Sequence, residues 1–195
     1  MQSLLLHPTP IAQWHAIVHE AQAAADRHLD EDLESYLVFL LMRFTDRPEM
    51  ANAVLALEFL TGVASLGSLR QERLRDVGDQ CLIYSGLFPR QAERRCVNLG
   101  YFVGMGRTAY QQLSDVMRYQ HSELFAQLAE AFIALMDVLQ MIRELGEGQS
   151  SLDPLRAMES WSETGSRYAL NVLRGVTDAT PVILPEDPKR GPSSH

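Results

Sequence analysis

Cysteine, lysine and long apolar runs are all scarce in this chain, and each scarcity excludes something. Two cysteines in 195 residues, Cys81 and Cys96, both among apolar neighbours, cannot form a disulfide scaffold. They suit a reducing compartment and are expected to stay unpaired. Lysine occurs once, at Lys189, and the net charge is −8. Without a basic block there is no surface for tracking a phosphate backbone, so no nucleic-acid partner is expected. The arginines that do cluster, Arg70, Arg73 and Arg75, then Arg90, Arg94 and Arg95, read as solvated helix faces. The most apolar run, Tyr36 to Met42, falls far short of the ~20 residues that span a bilayer. The opening MQSLLLHPTP lacks the cationic start of a signal peptide. The expected setting is cytoplasmic, with no membrane association.

Catalytic signatures are missing as well. There is no HExxH, no paired Glu-x-x-His and no GxSxG. No segment alternates in the manner of a strand, so the glycines at 100, 104 and 106 do not form a phosphate loop after a strand.

What remains is helical periodicity. Thr9-Pro10 opens a first helix, with Ile11, Trp14, Val18, Ala21 and Ala25 on one face. Asp30 precedes a second, whose Leu33, Tyr36, Leu37, Leu40, Leu41 and Phe44 form a core stripe. Pro48 starts a third, which ends near Gly67, and Ser68 is placed to cap a fourth. From Cys81 to Tyr84 the fourth helix is apolar all round, which predicts a central, fully buried segment. Pro89 reads as the start of a fifth, running to Tyr110. Phe125, Phe132 and Leu139 recur every seven residues, as do Leu128, Leu135 and Ile142, and predict one long helix with a bundle seam. Asp153-Pro154 opens a seventh helix, to about Arg174. The fold class expected is therefore all-α, a single-domain bundle of about seven helices over 1–176, with a Pro-rich tail at 177–195.

The block 78–110 organises this pattern. Gly86 to Pro89 supplies a stop and a restart, so the flanking helices should pair antiparallel through a short link. Residues at one level would then have numbers summing to about 177, placing Val77 opposite Gly100 and Arg73 opposite Gly104. Gly100-x-x-x-Gly104 would admit the neighbouring backbone.

Two constellations carry chemistry. His15 and His19 stand at i and i+4, the spacing of a two-histidine metal face, though on the flank of the apolar stripe. They are the weak alternative for a metal site, and no cofactor is expected. Asp79 lies on the apolar half of its helix with Leu82, Ile83 and Gly86, so its carboxylate must be paired or shifted in pKa. Asp79, Tyr84, Arg94, Tyr101 and Arg107 are the candidate ligand-binding set.

Gly78-Asp79, Ser85-Gly86-Leu87-Phe88-Pro89, Tyr101, Met105-Gly106-Arg107 and Ala109-Tyr110 together resemble a block in a family of bacterial all-α proteins. The resemblance covers about a sixth of the chain and brings no activity, cofactor or catalytic residue with it. The functional expectation is a helical binding or regulatory protein, a homodimer or a protein's partner, acting through helix faces or a small pocket. Its rival is a haem- or metal-dependent enzyme or carrier of haem-oxygenase-like or ferritin-like architecture.

Overall fold

Thr9 and Pro10 open the first helix as their chemistry dictates: the Thr9 hydroxyl accepts from the Ala12 amide, and proline takes the first turn. This computed structural model describes residues 9–46, 55–89, 98–147 and 152–176. The N-terminal leucines, Pro48, Arg90, Arg94, Arg95, Cys96 and the tail at 177–195 lie outside the described residues. Among the described residues all regular structure is helical, in nine helices. They are α1 (Pro10–Ala24), α2 (Glu31–Asp46), α3 (Leu55–Ala64), α4 (Gly67–Leu87) and α5 (Leu99–Val116). There follow α6 (Tyr119–Glu130), α7 (Phe132–Glu147), α8 (Pro154–Thr164) and α9 (Arg167–Val176).

The protein is all-α, and α4 is its centre. Every residue from Val77 to Gly86 is buried, including Asp79, Gln80 and Ser85. Around it pack α3, α5 and α7. Most of each stripe read from the sequence faces this core: Val18 and Ala21 from α1 with Ala25 at its end, and Leu33, Leu37, Leu40 and Leu41 from α2, while Ile11 is left exposed. From α6 and α7 come Phe125, Leu128, Phe132, Leu135 and Leu139, with Ile142 partly buried beside them. A smaller cluster, Leu152, Ala157, Tyr168, Ala169 and Leu173, joins α8 to α9 and touches the main core through Met141.

Four sequence expectations are corrected. Ser68 does not cap α4: the cap is Leu66, without a side-chain bond, and Gly67 enters the helix at φ +60°. The described helix that pairs with α4 begins at Leu99, with the Asn98 side chain accepting from the Tyr101 amide. The long heptad helix is two helices, bent by 69° at Ala131. The last helix is also two, because Gly165 takes φ +72° and closes α8.

The second correction shifts the register of the central pair. Antiparallel contacts join Tyr84 to Phe102, Cys81 to Gly106 and Gly78 to Tyr110, pairs whose numbers sum to about 187. That is about ten residues beyond the register expected from a link at Pro89. The glycines consequently have other neighbours than expected. Gly100 faces the Glu163 carboxylate rather than Val77, and a Cβ at Gly104 would meet none of the described residues within 4 Å. Gly106 is the one pressed against α4: a Cβ there would stand 2.5 Å from the Phe132 ring and 2.8 Å from the Cys81 Cβ. Gly106→Ala should therefore destabilise the fold by about 1–3 kcal/mol through overpacking. Gly104→Ala, which gains helix propensity and meets no neighbour, should stabilise by up to about 1 kcal/mol. Urea unfolding of the two variants checks the contrast, and equal effects would contradict the register.

Candidate functional site

Asp79 is a polar group of α4 on which α2 and α5 both converge. Its carboxylate is 1% exposed. One oxygen, Oδ1, accepts from the Tyr36 hydroxyl of α2 at 2.6 Å and from the Tyr110 hydroxyl of α5 at 2.7 Å. The other, Oδ2, accepts from the Arg43 guanidinium of α2. Gly78 makes this possible, because the Tyr110 ring lies where any larger residue would put its Cβ. The two phenol rings meet edge to face at 6.4 Å, and both pack against Phe125 of α6, Tyr36 edge to face at 6.0 Å and Tyr110 tilted at 6.1 Å. Tyr110 also packs on Phe132 of α7, at 6.0 Å. Four helices besides α4 are thus tied to one carboxylate or to the rings that donate to it.

Burial pushes the Asp79 carboxyl above its usual range, and Arg43 and the two phenols act against that rise. Burial also drives both phenols well above 10, with the Asp79 charge adding to it, so they remain neutral donors. Burial is the largest influence on Arg43 and works against its charge, but Asp79, with Tyr36 and Asp76 adding to it, holds the guanidinium up. Arg43 leans as well on the half-exposed Asp76, at 3.9 Å.

A second buried carboxylate, Asp137 of α7, is one that the sequence reading did not single out. It is fully buried. Arg27, just after α1, donates to Oδ2 through Nε at 2.9 Å and through Nη2. Ser166 donates to Oδ1 at 2.5 Å, and the Arg167 amide donates to Oδ2 at 3.1 Å. Ser166 in turn accepts from the Ala169 amide, so the same residue starts α9 and fastens it to α7.

His15 meets Glu34 rather than a metal partner, with Nδ1 at 3.0 Å from the carboxylate. Gln22 donates to the same carboxylate at 2.9 Å and accepts the Leu29 amide at 2.7 Å, closing the α1–α2 corner. The hydrogen bond with His15 is the main cause holding the Glu34 carboxyl below its ordinary 4.5, against a smaller rise from burial. His19 is exposed on the outer side of α1. Among the described residues no group of three His, Cys, Asp or Glu side chains is placed to hold a metal ion.

The remaining candidates are dispersed. Tyr84 is fully buried against Phe102, with ring centroids 5.6 Å apart. Tyr101 is exposed and meets Phe102 edge to face at 5.9 Å. Arg107 donates through Nε to the Ala129 carbonyl at 3.0 Å, in the last turn of α6. Arg94 lies outside the described residues. The partners of Asp79 are therefore Tyr36, Arg43 and Tyr110, and Tyr101 and Arg107 point elsewhere. Two surface hollows among the described residues flank α5 and α6. One, of about 530 Å³, lies between α5 and α6, lined by Gly104, Arg107, Thr108, Gln111, Ala126, Ala129 and Glu130. The other, of about 760 Å³, sits at the turn joining those helices, beside Asp115, Arg118 and Glu123.

Among the described residues no single helix is long and apolar enough to cross a membrane. The α6–α7 pair passes by length and composition only, and it is bent. No protein-family model, curated protein or solved structure matches the chain.

Removing one partner from a buried ion pair leaves the other uncompensated, so Asp79→Ala should cost about 3–5 kcal/mol. Tyr110→Phe, which keeps the ring and loses one charge-assisted bond, should cost about 1.5–3 kcal/mol. Chemical denaturation measures both, and a cheap Asp79→Ala would mean that the node does not hold the helices. The lowered Glu34 pKa fixes a sign for pH dependence. The unfolded chain binds more protons at Glu34 than the folded one, so its contribution is complete above 4.5 and is lost as pH falls through the folded value. Glu34→Gln should flatten that part of a stability–pH profile and leave the neutral side level.

Proposed function

We propose that the protein is a helical binding or regulatory protein, acting as a dimer through its helix faces rather than through a catalytic centre. One observation carries this reading: each deeply buried carboxylate is consumed by internal donors. Asp79 is held by Tyr36, Tyr110 and Arg43, and Asp137 by Arg27, Ser166 and the Arg167 amide. A catalytic acid or base must reach a substrate, and among the described residues neither group lines either of the two hollows at α5 and α6. The apolar side chains left outside support the same reading. Leu66 is 85% exposed and Leu155 70%, with Met158 one turn beyond Leu155 on α8.

The haem- or metal-dependent enzyme is the rival, and its histidine would be His15, which is bonded to Glu34, or the exposed His19 or His121. Metal analysis of the purified protein, followed by haem titration, separates the two. The binding reading expects no stoichiometric metal and no Soret band. A Soret band that disappears in His15→Ala or His19→Ala would establish the rival.

A further inference from the structure

We propose that an apolar segment of the chain's own tail, Pro181, Val182, Ile183, Leu184 and Pro185, docks along the outer stripe of α8. The inference deepens the helix-face reading above by naming what occupies one such face, and it does not depend on dimerisation. Leu155, Met158 and Trp161 stand three residues apart, so they form one oblique row along α8. Leu155 is 70% exposed and Met158 51%, while Trp161 is partly buried against the cluster that joins α8 to α9.

The chain leaves the described fold beside this row. Leu152, just before α8, and Leu173, in the last turn of α9, belong to one apolar cluster, so the two open ends of the hairpin lie together. Val176 ends α9 there, itself 63% exposed. In 177–195 only Val182, Ile183 and Leu184 are large and apolar, and every one of them falls in the proposed segment.

Length and stiffness fit as well. Extended, the link 177–180 reaches up to about 16 Å, more than the ~8–10 Å between the axes of packed helices. Pro181 and Pro185 exclude a helix and favour an extended backbone between them, which spans about 12 Å. The row from Leu155 to Trp161 is about 9 Å long, so one segment covers it. So short a tether holds the segment at an effective concentration of the order of millimolar, which favours it over a second copy at micromolar concentration.

Trp161 reports on the contact. In a Trp14→Phe background it is the single tryptophan of the full chain. Replacing Ile183 and Leu184 together by Asp should raise acrylamide quenching of Trp161 by about twofold, as a covered surface opens. Ser193→Asp with Ser194→Asp, which adds the same charge beyond the segment, should leave quenching unchanged. A second measurement places the segment directly. With Cys96 replaced by Ser, Met158→Cys and Ile183→Cys should oxidise to a disulfide within one chain at micromolar protein. Unchanged quenching in the Ile183/Leu184 variant, or an equal rise in the Ser193/Ser194 variant, overturns the proposal. So does a cross-link that forms only between chains, or wild-type quenching that rises on dilution, because a second copy would then cover α8. Any of these failures would leave the haem and metal result, which tests the non-catalytic reading, untouched.

Discussion

The fold depends on a single carboxylate kept out of water. Asp79 sits in the most buried stretch of the most buried helix, where an uncompensated charge would cost several kcal/mol. Its compensation comes from α2 and α5, and each donor is an aromatic or long side chain that also fills core volume. The bond geometry therefore constrains the packing. Tyr36 and Tyr110 can reach one oxygen together only if α2 and α5 flank α4 at a fixed height. A slip of α5 by one helical turn would carry the Tyr110 hydroxyl about 5.4 Å away and leave Asp79 short of a donor. Apolar contacts alone would tolerate such a slip better, since one leucine replaces another at small cost.

Half of this node was legible in the sequence. The helical wheel places Asp79 among Leu82, Ile83 and Gly86, and burial follows from that placement. Its partners were sought within the same block, whereas Tyr36 and Arg43 lie 43 and 36 residues away. No local spacing encodes a contact across such a separation. Asp137 is legible by the same rule. The surrounding Ile133, Ala134, Leu135, Met136, Val138 and Leu139 are apolar on nearly every side, as at Cys81–Tyr84, and a helix buried all round must bury its aspartate too.

The helix boundaries divide in a similar way. Thr9-Pro10 and Asp153-Pro154 open helices because each cap satisfies an amide within its own turn. Gly165-Ser166 was an equally local signal: glycine closes α8 at positive φ and serine starts α9. The bend at Ala131 has no such signal. Neither proline nor glycine lies near it, and the seven-residue spacing continues across the break because both helices turn the same face to the core. What meets the end of α6 there is Arg107, a side chain from another helix taking the Ala129 carbonyl.

Gly100, Gly104 and Gly106 show why composition alone misplaced the central contact. Read together they suggested one close approach between two helices, but the structure separates them into three environments. Gly100 leaves room for Glu163, which accepts its amide at 3.1 Å and ties α8 to the start of α5. Gly106 lets α5 settle onto Cys81, under the Phe132 ring, while Gly104 opens onto the hollow between α5 and α6. Gly100 and Gly104 share a side of the helix, four residues apart, whereas Gly106 is turned well away from both, because each residue turns the helix by about 100°. Which of them meets α4 is a question of register, and register is set where Tyr110 reaches Asp79. The polar node thereby determines which glycine is buried and which is left facing outward.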